Sequence, residues 1–222
     1  MKKRAVLLIL ALFFVNCVHS VKFPNSLVND KVKDIYYASV SITDATGRVH
    51  GAGTILKNKS GQKMLVLTAA HVVVGIAETG SKLIAVSLAY DDKIKVMNVK
   101  KIDVVSDLAL LEGTNDERFD GPYAAVSNGT PKIGDSVTVI GAPMGDERTV
   151  TTGIISNFYS ELDKTFYRVS APVYYGNSGG AAFDKNNELI GVAHAIQALA
   201  LYIAIPGASF FVDLPSIKKF LQ

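Results

Sequence analysis

From Ile35 onward, apolar residues arrive in short runs broken by turn residues, the signature of strands rather than of long helices. Six runs come first: Tyr36–Thr43, which alternates in part, then Thr54–Lys57, Lys63–Leu67, Leu83–Ala89, Lys93–Val99 and Val104–Leu111. Asp44-Ala45-Thr46-Gly47 and Asn58-Lys59-Ser60-Gly61 supply the residues of tight turns between them. The stretch Asn115–Thr130, rich in Asn, Asp, Gly, Ser and Pro, has little periodicity and reads as a connection. Six further runs follow: Ser136–Ile140, Thr149–Phe158, Thr165–Pro172, Ala181–Phe183, Glu188–His194 and Leu201–Ile205. The period then changes. Leu214, Ile217, Phe220 and Leu221 share one face of a short helix over Asp213–Gln222. No fixed-period repeat or long linker interrupts the series.

The first twenty residues have a different character. Met1-Lys2-Lys3-Arg4 is basic, Ala5–Val15 is apolar but too short to span a bilayer, and Val18-His19-Ser20 is built of small or modest residues. This predicts a secretory signal peptide over 1–20, cut after Ser20, and an exported protein over 21–222. Cys17, the only cysteine, leaves a lipid anchor as the alternative. Export changes the charge argument. The chain carries 23 basic and 20 acidic residues, and the excess resides in Lys2, Lys3 and Arg4. The mature surface is therefore balanced and gives no bulk reason to bind nucleic acid. A mature chain without cysteine has neither a disulfide framework nor a thiolate metal site. About 200 residues, roughly half of them apolar, are enough to hold together by their core in one compact unit.

Candidate chemistry lies in Tyr174-Tyr175-Gly176-Asn177-Ser178-Gly179-Gly180. A serine between glycines suits a tight turn that pushes one hydroxyl outward while main-chain N–H groups crowd beside it, although the same composition serves ordinary surface turns. Two other segments add to it: Thr68-Ala69-Ala70-His71, which ends an apolar run, and Ser106-Asp107, which precedes Leu108–Leu111. The order His71, Asp107, Ser178 is that of the chymotrypsin arrangement and differs from that of subtilisin. Gly176–Gly180 also fits the nucleophile elbow of α/β-hydrolases, but there the acid and the histidine both follow the serine. Here only His194 follows it, and no alternation of strands and helices precedes it.

With these three segments the chain resembles the trypsin-like serine proteases of bacterial type, most closely the protease domain of the HtrA group. Gly51-Ala52-Gly53-Thr54-Ile55, Thr68–Val73, Asp107–Leu110, Ile133–Val137 with Ile140–Gly145, Thr151–Ser156, Ile190-Gly191-Val192 and Ala204-Ile205-Pro206 match that group's motifs in order. The resemblance implies an all-β fold of two six-stranded antiparallel β-barrels, about 35–114 and 131–212, with the short helix at 213–222. Closed barrels bury sheet edges, which suits a secreted chain. The residues after Pro206 are too few for the PDZ module that many HtrA proteins carry.

The resemblance also assigns roles. His71 is the general base, Asp107 orients it, Ser178 is the nucleophile, and the N–H groups of Gly176 and Ser178 form the oxyanion hole. Asp103, on the same strand, is the competitor to Asp107. No cofactor and no metal are expected; Gly51-Ala52-Gly53 lacks the context of a dinucleotide site and reads as a strand start, and His50 as a surface residue. Asn177 is uncharged and cannot pair with a new N-terminus, so no activation cleavage beyond signal removal is expected. Substrates would be extended or unfolded polypeptides, met in the periplasm or outside the cell. Val173, Tyr174, Tyr175, Ala193, His194 and Ala195 are the candidate substrate-binding residues. Ala171, Pro172, Val173, Ala193, Ala195 and Ile196 present no acidic group for a P1 Arg or Lys, which favours small aliphatic P1 residues. His194 either faces the pocket, favouring an acidic P1, or packs near His71. Two rival readings remain: a catalytically silent peptide-binding module, and an esterase on the same triad.

Overall fold

A computed structural model describes residues 27–58, 62–81, 83–88, 94–114, 119–143, 148–161, 164–199 and 203–222. The expected signal peptide and Cys17 lie outside them. The first barrel comprises β1 (Ser39–Thr43), β2 (Val49–Ile55), β3 (Leu65–Thr68), β4 (Ile84–Leu88), β5 (Ile94–Asp103) and β6 (Leu108–Gly113). It closes in the order β1-β2-β3-β6-β5-β4. The second comprises β7 (Ser136–Gly141), β8 (Thr149–Glu161), β9 (Lys164–Val169), β10 (Ala181–Phe183), β11 (Leu189–Leu199) and β12 (Ile203–Val212), closed as β10-β11-β12-β9-β8-β7. Two six-stranded barrels are thus present, as the chain's resemblance implied. None of the described helices is long and apolar enough to cross a membrane.

Each barrel has its own interior. Val40, Ile42, Ile55, Val66, Val86 and Leu111 fill the first, and Val137, Val139, Ile155, Tyr167, Val169 and Phe211 the second. A third cluster joins them: Leu67, Leu108 and Leu110 from one barrel meet Ile140, Phe183, Leu189 and Val192 from the other. All of β1 is buried, which explains why its alternation is only partial. The C-terminal helix α3 (Leu214–Leu221) adds Ile217 and Phe220 to the shared cluster. Asp213 caps it by accepting the Ser216 N–H at 3.0 Å, and Lys101 of β5 donates to the carbonyl of Phe220 at its far end.

Several strand limits differ from the sequence reading, each for a local reason. Tyr36–Ala38 belongs to a short helix, α1 (Lys33–Ala38), and the strand starts at Ser39, whose hydroxyl donates to the Ile35 carbonyl. Val104–Asp107 is a turn, not the start of β6, because Asp103 Oδ1 accepts the N–H groups of Val105 and Ser106 at 2.9 and 3.1 Å. The last strand runs on to Val212, where Ser209–Val212 pair with β9. A second helix, α2 (Ala70–Glu78), was not anticipated, because its run of three valines has the composition of a strand. Val72, Val73 and Ile76 bury its inner face in the first barrel. His50 is not a free surface residue: its Nε2 lies 2.8 Å from Asp44 Oδ2 and side-chain exposure is 11%.

Candidate active site

His71 is the second residue of α2, and its main-chain N–H is one of the donors that a helix start leaves without an intrahelical acceptor. Ala69, the cap residue, has no side chain to satisfy them. Asp107 does so from 36 residues away, accepting the His71 N–H on Oδ1 at 2.9 Å. A carboxylate at a helix N-terminus also meets the favourable end of the helix dipole. The same carboxylate holds the His71 ring, with Nδ1 at 3.0 Å from Oδ1 and 2.8 Å from Oδ2. Asp107 is buried and sits at φ 53°, a left-handed conformation that Asp tolerates better than most residues. Asp103 touches neither histidine. It shapes the turn that presents Asp107, and this separates the two sequence candidates.

Burial acts to raise the Asp107 pKa, but the hydrogen bonds from His194 and His71 outweigh it and hold the carboxyl well below the usual range. An ionised carboxylate only accepts, so His71 carries its proton on Nδ1 when neutral, leaving the Nε2 lone pair to take a proton. His71 keeps 45% of its side chain exposed, within reach of a substrate. The donor atoms of His71, Asp107 and His194 lie within 4.8 Å of one another. By donor type the three suit a divalent cation, but both Nδ1 positions would first have to surrender the protons that bind them to the carboxylate.

The serine arrives from the second barrel on a turn held by backbone hydrogen bonds. Asn177 N–H donates to the Tyr174 carbonyl, Gly180 N–H to that of Asn177, and Gly179 N–H to that of Ala193. The Ser178 carbonyl accepts the Ala52 N–H at 2.8 Å, which ties the turn to β2 of the other barrel. Space there is tight. A Cβ on Gly51 would lie 2.7 Å from that carbonyl, and one on Gly179, at φ +81°, 2.2 Å from Thr68 Oγ1. Among the described residues, the N–H groups of Gly176 and Ser178 donate to no acceptor. Ser178 Oγ and His71 Nε2 are not hydrogen-bonded to each other among those residues. In substrate-free sites such contacts are often long and tighten only when substrate binds.

The remaining candidates divide. Tyr174 and Tyr175 are exposed and meet edge to face, Val173 is half-buried, and Ala195 is exposed. Ala193 and Ala171 differ from these: both side chains are buried in the second barrel's core, and the N–H and carbonyl of Ala193 are taken by Gly180 and Gly179. The alternation that put Ala193 beside substrate is broken by a bulge, since β11 shifts register against β12 between Ala193 and Ala195. His194, the residue in the bulge, places Nδ1 2.5 Å from Asp107 Oδ2 and its ring 6.3 Å from that of His71. It therefore packs near His71.

Comparison with known proteins places the chain in a family. Residues 51–192, more than half of the chain, match the family described as trypsin-like peptidase domain. The HtrA-like serine protease of Staphylococcus haemolyticus is 28% identical over 226 residues, covering 93% of this chain and 33% of that protein. The chain thus spans about a third of the length of that relative. Among solved structures, the serine endoprotease from Yersinia pestis superposes with TM-score 0.69 at 25% identity, over 91% of this chain and 66% of that one. A variant of the HtrA-type protease AlgW with a tripeptide superposes with TM-score 0.72 at 24% identity, over 90% and 63%. The chain belongs to the trypsin-like peptidase domain family, and its curated relatives are HtrA-like serine proteases.

Proposed function

We propose that this domain is a serine endopeptidase that cleaves extended polypeptides through an acyl-enzyme on Ser178. The supporting observation is the contrast at the site: Asp107 binds His71 at both main chain and ring, while the Gly176 and Ser178 N–H groups donate to no acceptor among the described residues. His71 Nε2 takes the Ser178 proton as the hydroxyl attacks the scissile carbonyl, and returns it to the leaving amine. Asp107 stabilises the imidazolium without taking its proton. The two N–H groups bind the oxyanion, a contribution of about 2.7–4 kcal/mol per donor in comparable sites.

Substrate backbone has an edge on which to lie. β10 pairs with β11 only over Leu189–Val192, and from Ala195 onward β11 is paired with β12 alone among the described strands. An added strand gives affinity with little sequence preference. Val173, Tyr174, Tyr175, Ala195 and Ile196 carry no charge to hold a P1 Arg or Lys, which leaves small aliphatic P1 residues preferred. The chain works after export, with residues 1–20 removed. Hydrolysis of casein by wild type but not by Ser178→Ala, with cuts mapped by mass spectrometry, tests the reading. Turnover by Ser178→Ala refutes the nucleophile, and dominant cuts after Arg or Lys refute the pocket.

A further inference from the structure

His194 belongs to the second barrel, yet its strongest contact is with an acid of the first. The bulge in β11 turns the side chain out of the regular alternation, and the ring stacks on Phe166 of β9 with centroids 5.0 Å apart and planes 18° apart. In that position Nδ1 lies 2.5 Å from Asp107 Oδ2. Because an ionised carboxylate only accepts, His194 must donate an Nδ1–H, so Oδ2 takes a proton donor from each of two imidazoles. The neighbouring residue, Ala193, bonds through its N–H and carbonyl to Gly180 and Gly179 of the serine turn. A short chain of bonds thus runs from the serine turn through Ala193 and His194 to Asp107, and on to His71. Hydrogen bonds and ring contacts to His194 come from three elements among the described residues. These are the β5–β6 turn with Asp107, α2 with His71, and β9 with the uncharged Phe166.

We propose that His194 is a positioning residue. By fixing Asp107 from the far barrel, it sets the acid–base pair in register with the serine turn. This rests on the triad reading above. His194 touches no reacting atom; it acts through Asp107.

The test compares wild type with His194→Ala and His194→Asn on casein and a small ester, with Ser178→Ala as reference. His194→Ala should lower kcat about ten- to a hundredfold, the scale of a hydrogen bond to a charged group, and leave KM within about twofold. His194→Asn keeps an N–H donor near the Nδ1 position and should recover kcat to within about threefold of wild type. A packing role alone would give no rescue by asparagine over alanine. An alanine variant with wild-type kcat overturns the inference, as does a folded asparagine variant no better than alanine. If the alanine variant fails to fold, nitrogen NMR of histidine-labelled wild type decides. A neutral His194 protonated on Nδ1 supports the inference, and one protonated on Nε2 alone overturns it. Activity in Ser178→Ala would instead defeat the triad reading itself, so the two failures are distinguishable.

Discussion

The two barrels bring unlike halves to the site. The first supplies His71 and Asp107 already bonded to each other, through a helix N–H as well as a ring nitrogen. The second supplies a serine turn in which the N–H groups of Asn177, Gly179 and Gly180 are paired, while those of Gly176 and Ser178 have no partner among the described residues. On the proposed mechanism, the groups that hold still are satisfied within the protein and the groups that would receive a developing charge are kept unsatisfied. Preorganisation of this kind is worth most where the donors need not reorganise during reaction.

The largest expected effect breaks the second half. Ser178→Ala should lower kcat by about 10⁶-fold, and adding His71→Ala should cost little more, because the residues act as one unit. Steady-state kinetics on one preparation decides this. In the first half, Asp107→Asn should lower kcat by about 10⁴-fold while the fold persists, because the amide no longer selects the Nδ1–H tautomer. The same variant sharpens the electrostatic side. A carboxylate whose folded pKa is depressed adds stability that is present above its unfolded pKa of about 4 and is lost as pH falls towards the folded value. Acid unfolding below about pH 4 should accordingly be shallower in Asp107→Asn than in wild type, although Asp44 and Asp103, also depressed, keep contributing in both.

Smaller effects test the supports. Gly179→Ala should destabilise by at least about 1–3 kcal/mol through backbone strain at positive φ. Overlap with Thr68 Oγ1 adds to this, and thermal melts would report it. Asp103→Ala removes only the cap on the turn before Asp107, a loss of about 0.5–2 kcal/mol by analogy with helix caps. Its kcat should stay within about tenfold of wild type. A loss as large as that of Asp107→Asn would mean the wrong aspartate was chosen.

What was readable in the chain, and what was not, follows the same division. Ser178, His71 and Asp107 stand out because each sits in a local pattern of its own, glycines around one and apolar runs beside the others. Two closed barrels followed from those motifs and from strand runs separated by turn residues. The helix behind His71 was hidden because Val72, Val73 and Val74 have strand composition, and tertiary burial against the first barrel overrides that preference. Asp103 and Asp107 could not be separated by spacing, since the distinction is which carboxylate the turn spends on its own backbone. The burial of Ala193 was not foreseen, and His194 was left with two orientations, for one reason: a single-residue bulge reverses the alternation on which facing is judged.

The central claim is that Ser178 is a nucleophile activated by a histidine and an aspartate from the other barrel. Labelling with a fluorophosphonate reagent, followed by peptide mapping, addresses it most directly, since the reagent reacts with a serine only where base and oxyanion donors are in place. The account predicts one adduct, on Ser178, formed quickly in wild type and at least about 10³-fold more slowly in His71→Ala. An adduct on another residue, or labelling of Ser178 that is indifferent to His71, would contradict it.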